Sequence, residues 1–295
     1  MQGKVMQLRV RQTVDNQCDE AAMRVMSYNI RMAPCKEDDA TENAWKYRLP
    51  KIGMILQEYT SDIIGLQEIS AVQKESLEKL MNQTYLFLTR FPQKEPIESG
   101  LGIAYNPAVI EAVSPLKTLW LNEDKNTPYA PAWDGSDYER YVIYAKFRHR
   151  ATGRFFWFVT THFDHLGERA RTESANIVMD LAKSLNEPVI ITGDFNCFPQ
   201  QGGQQLYDLL CNRAETIYDS GKQAAKVVGV PGTWIGWHYD PYAQKEGHAK
   251  YDYIFVHKDL KTLQHAVIDD RVWDEQFNKE LYPSDHRPVI SDLML

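Results

Sequence analysis

Ile190-Ile191-Thr192-Gly193-Asp194-Phe195-Asn196 is the stretch that decides the fold. Its apolar, β-branched start predicts a buried strand, and its end carries a carboxylate and an amide. Positions i and i+2 of an extended chain face the same way, so the side chains of Asp194 and Asn196 are directed to one point. We expect Asp194 to accept a proton from an attacking water and Asn196 to donate to a phosphoryl oxygen. An ordinary turn is the alternative interpretation of the Gly-Asp-x-Asn pattern.

Polar side chains end or begin several other apolar runs of the chain. These groups are Asn29, Glu68, His162 with Asp164, Asp252, and Ser284-Asp285-His286. Six such strands in one sheet system would bring their polar ends to one pocket, which suits a divalent metal and a phosphate. Taken alone, Glu68 also fits a solvated strand end.

Two histidines adjoin carboxylates at these strand ends. His162 precedes Asp164 by two residues, and His286 follows Asp285 directly. An acidic neighbour favours the charged imidazolium, which can stabilise negative charge on phosphate. Burying Asp252 in its apolar strand is costly unless it is paired, so we expect it to pair with His286.

The spacing of apolar residues indicates the fold class. From Trp45 to Tyr59 they recur every 3.6 residues, which predicts a helix with Pro50 in its first turn and with a polar side formed by Lys46, Arg48, Lys51 and Glu58. Helices are also predicted near 72–82 and 168–185, a hairpin over 141–161, and an irregular, aromatic-rich region over 198–250. Strands alternating with helices predict a four-layered α/β sandwich, in which helices flank two packed mixed β-sheets.

The polar strand ends extend from residue 29 to residue 286, so they predict one domain. We expect residues 22–295 to form the catalytic domain and residues 1–21 an N-terminal extension that carries a short edge strand. The start lacks the apolar stretch of a secretory signal and no run of about 18 apolar residues occurs, which favours a cytoplasmic protein without a membrane span. The four cysteines lack CxxC spacing and are expected to be reduced thiols.

Composition bears on the partners. Lys and Arg total 33 against 40 for Asp and Glu, a net charge of −7, which disfavours a general nucleic-acid binder. A nuclease is not excluded, because a local basic rim and a metal can hold a phosphodiester.

The motifs together resemble the endonuclease/exonuclease/phosphatase superfamily. The resemblance runs from about Met23 to the C-terminus, in the family's order: Ser27-Tyr28-Asn29, Gly65-Leu66-Gln67-Glu68, Thr161-His162, Gly193-Asp194-Phe195-Asn196, Asp252-Tyr253-Ile254, and Ser284-Asp285-His286-Arg287-Pro288. It implies a Mg²⁺-dependent phosphoesterase, with Mn²⁺ as an alternative ion.

The resemblance also implies roles for the site residues. Glu68 would be the principal metal ligand, with Asn29 and Asp285 close to the ion. Asp194 would activate water, and Asn196 would bind phosphate. His286 would form a dyad with Asp252, and His162 would contact the phosphate or assist the leaving oxygen; the histidine that acts as general acid is left open.

Further features resemble a bacterial group of small phosphoesterases in the superfamily, among them Glu139-Arg140-Tyr141 and Gly232-Thr233-Trp234. Arg31 stands where apurinic endonucleases have an acidic residue. We therefore expect Arg31 to make an extra contact with phosphate rather than to serve as a metal ligand at this position. Arg140 is a second candidate for phosphate binding at the pocket rim, since arginine binds phosphate in a bidentate manner. The aromatic loop over 233–242 would stack on a ring or base, or pack in the core.

These features predict in-line hydrolysis of a phosphoester bond on a small phosphorylated metabolite. The alternatives are a nuclease acting on DNA or RNA, a sphingomyelinase-like phospholipid diesterase, and a catalytically silent binding module. Neither the substrate nor the oligomeric state can be read from the sequence.

Overall fold

The computed structural model describes residues 5–15, 20–92, 99–128, 130–199, 202–212, 216–237 and 249–295. Its strands are β1 (Met6–Arg9), β2 (Ala22–Asn29), β3 (Ile63–Ile69), β4 (Leu86–Arg90), β5 (Gly100–Tyr105), β6 (Ile110–Ala112), β7 (Lys117–Trp120), β8 (Tyr141–His149), β9 (Phe155–His162), β10 (Val189–Asp194), β11 (Ile217–Asp219), β12 (Lys226–Gly229), β13 (Asp252–His257), β14 (Lys261–Val267), β15 (Arg271–Asp274), β16 (Lys279–Leu281) and β17 (Val289–Met294). Its helices are α1 (Lys36–Asp39), α2 (Trp45–Glu58), α3 (Ala71–Leu80), α4 (Glu168–Ser184), α5 (Gln204–Asn212) and α6 (Ser220–Gln223).

Two large sheets contain most of these strands. The first has the strand order β12-β14-β17-β2-β3-β5-β4, and the second has the order β11-β13-β10-β9-β8-β6, with β7 also paired to β8. Both sheets are mixed: β2 and β9 pair in parallel with β3 and β10, while most other neighbours are antiparallel.

Three apolar clusters hold the layers together. One lies between the sheets and includes Val25, Ile103 and Phe158. The second joins the second sheet to α4 and α5, and the third joins the first sheet to α2 and α3. Burial of these apolar surfaces in three parallel interfaces gives the order helix, sheet, sheet, helix, and the predicted four-layered sandwich is confirmed.

The sheets approach each other most closely near the polar strand ends. A Cβ atom on Gly65 of β3 would lie 2.0 Å from Thr192 Oγ1 of β10, so only glycine fits at this position. The side chain of Gln67 donates to Thr160 Oγ1 across the same gap at 2.9 Å. This close approach brings the ends of β2 and β3 next to those of β9 and β10.

The polar side of α2 is exposed as expected at Lys46 and Glu58 but not at its other two predicted residues. Arg48 and Lys51 are both buried. The Arg48 guanidinium donates to the backbone oxygens of Asn43, Ile30, Arg31 and Met32, so it fixes the loop after β2. Lys51 forms an ion pair of 2.6 Å with Asp274 of β15. For Lys51 the prediction was wrong because a third sheet, β1-β15-β16, supplies that carboxylate partner.

Two local predictions also need correction. Helix α2 begins at Trp45, so Pro50 lies within the helix rather than at its start. Residues 198–250 are less irregular than expected, because α5, β11, α6 and β12 lie there. Those elements have three to nine residues, too few for a clear apolar period.

The N-terminal part of the described chain contributes β1, whose residues Met6–Arg9 pair with Arg271–Asp274. The division between an extension and a catalytic domain at residue 22 stays a prediction. Cys35, Cys197 and Cys211 are free thiols, and Cys18 lies outside the described residues. No helix in the described ranges is long and apolar enough to cross a membrane.

Candidate active site

The polar strand ends meet at one side of the sandwich. In the second sheet Asp194 is the register partner of both His162 and Asp252. In the first sheet Asn29 ends β2 next to β3, which carries Glu68. The loop before β17 adds Asp285 and His286, and it is tied to β2 by a 2.8 Å hydrogen bond from Ser284 Oγ to the Asn29 oxygen.

The Asn29 amide connects the two sheets. Its Nδ2 donates to Glu68 Oε1 and to Asp194 Oδ2, each at 3.1 Å. Its Oδ1 accepts the backbone N–H of Arg31 at 3.0 Å. These three bonds fix the orientation of the amide and hold the two carboxylates on either side of it.

Glu68, which is partly buried, and Asp285, which is buried, form an acidic pair. Burial tends to raise the pKa of Glu68, but Arg31, His286 and the Asn29 amide more than offset it, so the pKa is lowered and the carboxylate is ionised. Burial, together with the nearby Glu68, raises the pKa of Asp285, although His286 and Arg31 oppose this. Two carboxylates in mutual repulsion favour a bound cation.

His286 is held between two further carboxylates. Its Nδ1 donates to Asp252 Oδ2 at 2.9 Å, and its Nε2 lies 3.7 Å from Asp194 Oδ2. Burial acts to lower the pKa of His286, but Asp252 and Asp194 outweigh burial and raise it to about 10. At neutral pH the ring is therefore an imidazolium.

The pKa of Asp194 is raised, whereas the pKa of Glu68 is lowered. Burial and the charge of Asp252 raise the pKa of Asp194 to about 7, while His286, the Asn196 backbone N–H and the Asn29 amide act to lower it. A carboxyl group whose pKa lies near neutrality is suited to accept a proton from water.

His162 is neutral. Burial, then the charges of Arg140 and His286, hold its pKa well below the usual value. Its Nε2 lies 3.2 Å from Asn196 Nδ2 and 3.5 Å from Asp194 Oδ2. The predicted effect of Asp164 on His162 is wrong, because Asp164 instead accepts hydrogen bonds from Ser136 and from the backbone of Leu166 and Gly167.

Two arginines add positive charge to the site. Arg31 contacts Asp38 through Nε at 3.0 Å, and its Nη1 lies 3.8 Å from Asp285 Oδ2. Arg140 is nearly buried, with its Nη2 3.3 Å from His165 Nδ1 and its Nε 3.9 Å from Asp164. Within the described chain Nη2 is the one Arg140 side-chain nitrogen with a hydrogen-bond partner, so the guanidinium has donor capacity left at Nη1 for an anion.

The backbone is strained at three of these residues. Arg31, Glu68 and Asn196 have φ values of 54°, 58° and 45°. Each costs about 1–3 kcal/mol for a residue other than glycine, a cost that is concentrated at functional sites. At Glu68 the pairing of β3 with β5 also shifts register, and such a bulge re-aims a side chain.

A central cavity of about 390 Å³ contains these groups. Its lining includes all but three of the predicted site residues; Asn29 and Asp252 lie behind the wall, and Asp164 is turned away. Sequence reasoning missed Ser99, Tyr138 and His165 as lining residues. Trp234 lines it from the predicted aromatic loop and Tyr251 from the residue before β13, whereas Tyr239 and Tyr242 lie outside the described residues.

Two donor sets in the site fit a divalent cation. Asp194, Asp252 and His286 have ligand atoms within 4.8 Å of one another. A metal needs an unprotonated imidazole, however, and His286 is protonated on both nitrogens at neutral pH. Glu68 and Asp285 offer hard carboxylate oxygens, which are the ligands that Mg²⁺ prefers, and Asn29 contacts Glu68 through its Nδ2.

We expect Asp252→Asn to lower the pKa of His286 by more than one unit, because it removes the charge that most strongly favours the imidazolium. Titration of the histidine ring signals by NMR in the metal-free protein measures this. In the wild type the His286 signal should remain that of the charged form up to about pH 9, with half-buried His257 as internal reference. A wild-type His286 that loses its proton below pH 7 would contradict the expected dyad.

Comparisons with known proteins identify the family and support the fold. The sequence model of the Endonuclease/Exonuclease/phosphatase family matches residues 26–286. A family protein from Bacteroides thetaiotaomicron is 28% identical, with a TM-score of 0.81 over 96% of this chain and 98% of that one. The mannosyl-6-phosphatase Bt3783 of the same species is 27% identical, with a TM-score of 0.80 over 92% of this chain and 100% of that one. An uncharacterized protein, L388, of Acanthamoeba polyphaga mimivirus is 26% identical over 83% of this chain and 91% of its own length.

Proposed function

Because the chain belongs to the Endonuclease/Exonuclease/phosphatase family and is a phosphoesterase, we propose that it hydrolyses the phosphate monoester of a small metabolite such as a sugar phosphate. The observation that carries the proposal is the single cavity of about 390 Å³ in which a carboxylate pair, a carboxyl base, a neutral histidine and a charged histidine meet. A catalytically silent module would not need to keep all of these groups.

The cation in this proposal is Mg²⁺ or Mn²⁺. Glu68 and Asp285 would hold it, with Asn29 beside them. When bound, a divalent cation polarises the phosphoryl group and stabilises developing negative charge. It would also relieve the repulsion between the two carboxylates.

The protein's own residues supply the remaining chemistry. Asp194 accepts a proton from the attacking water, whose oxygen forms a bond to phosphorus as the bond from phosphorus to the alcohol oxygen breaks. The alcohol oxygen takes up a proton from solvent and Asp194 afterwards returns its proton to solvent, so the products are the free alcohol and inorganic phosphate. Asn196 and Arg140 bind phosphoryl oxygens, and His286 stabilises their charge as an imidazolium.

Charge and size support a small substrate. The central cavity has three cationic groups, Arg31, Arg140 and the His286 imidazolium, against three carboxyl groups, Glu68, Asp194 and Asp285. A polymer with a phosphate at every residue is bound by several cations, and the chain as a whole carries −7. The mannosyl-6-phosphatase relative, which matches nearly the whole chain, favours a sugar phosphate. A nuclease and a phospholipid diesterase are the alternatives that the test must separate.

We expect the purified protein to release inorganic phosphate from sugar phosphates in the presence of Mg²⁺ or Mn²⁺, and to be inactive after treatment with a chelator. Supercoiled DNA, RNA, sphingomyelin and bis(4-nitrophenyl) phosphate should be poor substrates, because they are diesters or polymers. A phosphate-release assay run beside DNA nicking measures the difference. Nicking or diester cleavage faster than phosphate release would overturn the proposal.

A further inference from the structure

A second cavity, of about 290 Å³, adjoins the central one. His165, Asn196 and Tyr251 line both, so this side cavity begins where the phosphate is bound in the proposed function. Its outer wall is formed by Glu168 and Thr172 of α4, which lie four residues apart on one helix face. Helix α5 closes the other side.

The side cavity carries polar groups that the fold does not use. Glu168 and Gln205 line it, and neither side chain has a hydrogen bond or ion pair within the described parts of the chain. Arg171 donates one hydrogen bond, from Nη1 to the Asp164 backbone oxygen at 3.1 Å, and keeps further donors. Carboxylate, guanidinium and amide are thus available together.

The charges of this lining balance. Glu168 contributes one negative charge and Arg171 one positive charge, and burial and the charge of Arg140 lower the pKa of His165, which is therefore neutral. A ligand with additional phosphates would need an excess of cations here. An acyl chain would leave the polar groups without partners, which is costly. An uncharged group with several hydroxyls needs no excess of cations, and it can form hydrogen bonds with the polar groups of the lining.

Two aromatic rings that line the side cavity favour the same class of ligand. Phe198 and Tyr251 lie edge to face, with ring centroids 6.4 Å apart and planes at 90°. A nucleobase gains most from stacking on exposed ring faces, and these two rings do not present parallel faces. A saturated ring with hydroxyls at its edge needs one apolar wall and donors and acceptors around it.

We propose that the side cavity binds the alcohol part of the substrate, and that this part is an uncharged polyhydroxylated ring, a monosaccharide unit. The inference rests on the proposed function, because it places the phosphate in the central cavity. The Glu168 carboxylate accepts hydrogen bonds from two ring hydroxyls, and Gln205 and Arg171 donate to others. Glu168 is therefore a residue that determines specificity without contacting the reacting atoms.

The test compares two monoesters that share the phosphate and differ in the alcohol. Mannose 6-phosphate offers ring hydroxyls, and 4-nitrophenyl phosphate does not. For Glu168→Ala we expect kcat/KM on mannose 6-phosphate to fall about 10- to 100-fold, mainly through KM, as for loss of hydrogen bonds to a charged group. On 4-nitrophenyl phosphate it should stay within about twofold. Glu168 is exposed, so the fold should be retained.

Two further variants complete the design. Gln205→Ala should show the same selectivity with a smaller loss, because a neutral hydrogen bond is weaker. Glu173→Ala, a carboxylate on the same helix but outside the cavity lining, should leave both substrates unaffected. Equal losses of Glu168→Ala on both substrates, or no loss on either, would overturn the inference. A wild-type protein that releases phosphate from neither monoester would instead overturn the proposed function.

Discussion

Asp194→Asn is expected to lower kcat on the best substrate by about 10³-fold or more, since removal of a general base typically costs a factor of 10² to 10⁴. The carboxyl group lies beside His286, His162 and Asn29 at the junction of the two sheets. Burial and Asp252 raise its pKa to about 7, so it can both accept and release a proton near neutral pH. An amide of the same shape cannot accept that proton.

The same substitution should leave the fold intact. Asp194 accepts a hydrogen bond from the Asn196 backbone and another from Asn29 Nδ2, and an amide can keep only one of them. That loss, about 1 kcal/mol, is offset because the substitution removes the repulsion between Asp194 and Asp252. We expect the melting temperature to stay within about 4 °C of the wild type.

Asp180→Asn is the matched control, because Asp180 is exposed on α4. It should change neither the rate nor the melting temperature. An Asp194→Asn variant that keeps more than a tenth of wild-type kcat would remove Asp194 from the mechanism. If the Asp194→Asn variant were unfolded, the removal of the repulsion from Asp252 would not have offset the lost hydrogen bond, contrary to our expectation.

That the polar strand ends lie together could be predicted from the sequence, because the apolar residues before them follow a simple pattern. Apolar runs that stop at Asn29, His162 and Asp194 require buried strands, and a layered sandwich places the ends of neighbouring strands together. The pairing of Asp252 with His286 followed from the cost of burying a lone carboxylate. In each case a general energetic rule applied to one residue was enough.

Other parts of the site depend on contacts between distant residues and could not be read from one sequence. Glu68 reaches the cavity through a register shift and a positive φ, neither of which has a residue signature other than glycine. Arg48 has the position of an exposed helix residue, yet it is buried because it binds the carbonyl groups of the loop after β2. Asp164 has the spacing of a site residue and instead fixes the start of α4.

Glu68→Gln is expected to weaken divalent cation binding by at least about 100-fold, because loss of a group that only supports a ligand already costs 10- to 100-fold. The amide keeps the size of the side chain but removes its charge, so Asp285 is left as the remaining buried carboxylate of the pair. Isothermal titration of Mn²⁺ and Mg²⁺ into the metal-free protein measures the change. We expect kcat to fall by about 10³-fold in parallel.

Glu78→Gln is the matched control, because Glu78 contacts Lys74 on the surface of α3 and lies away from the cavity. Its cation affinity and kcat should equal those of the wild type.

The cation site itself is decided by comparing Glu68→Gln with Asp252→Asn, since the two donor sets of the active site share no residue. A cation held by Glu68 and Asp285 should be lost in the first variant and retained in the second. The reverse pattern would place the cation at Asp194, Asp252 and His286. It would also mean that His286 is unprotonated when the cation is bound, and then His286 could not be the charged group beside the phosphate. The two titrations therefore test the metal ligands and the role of His286 together.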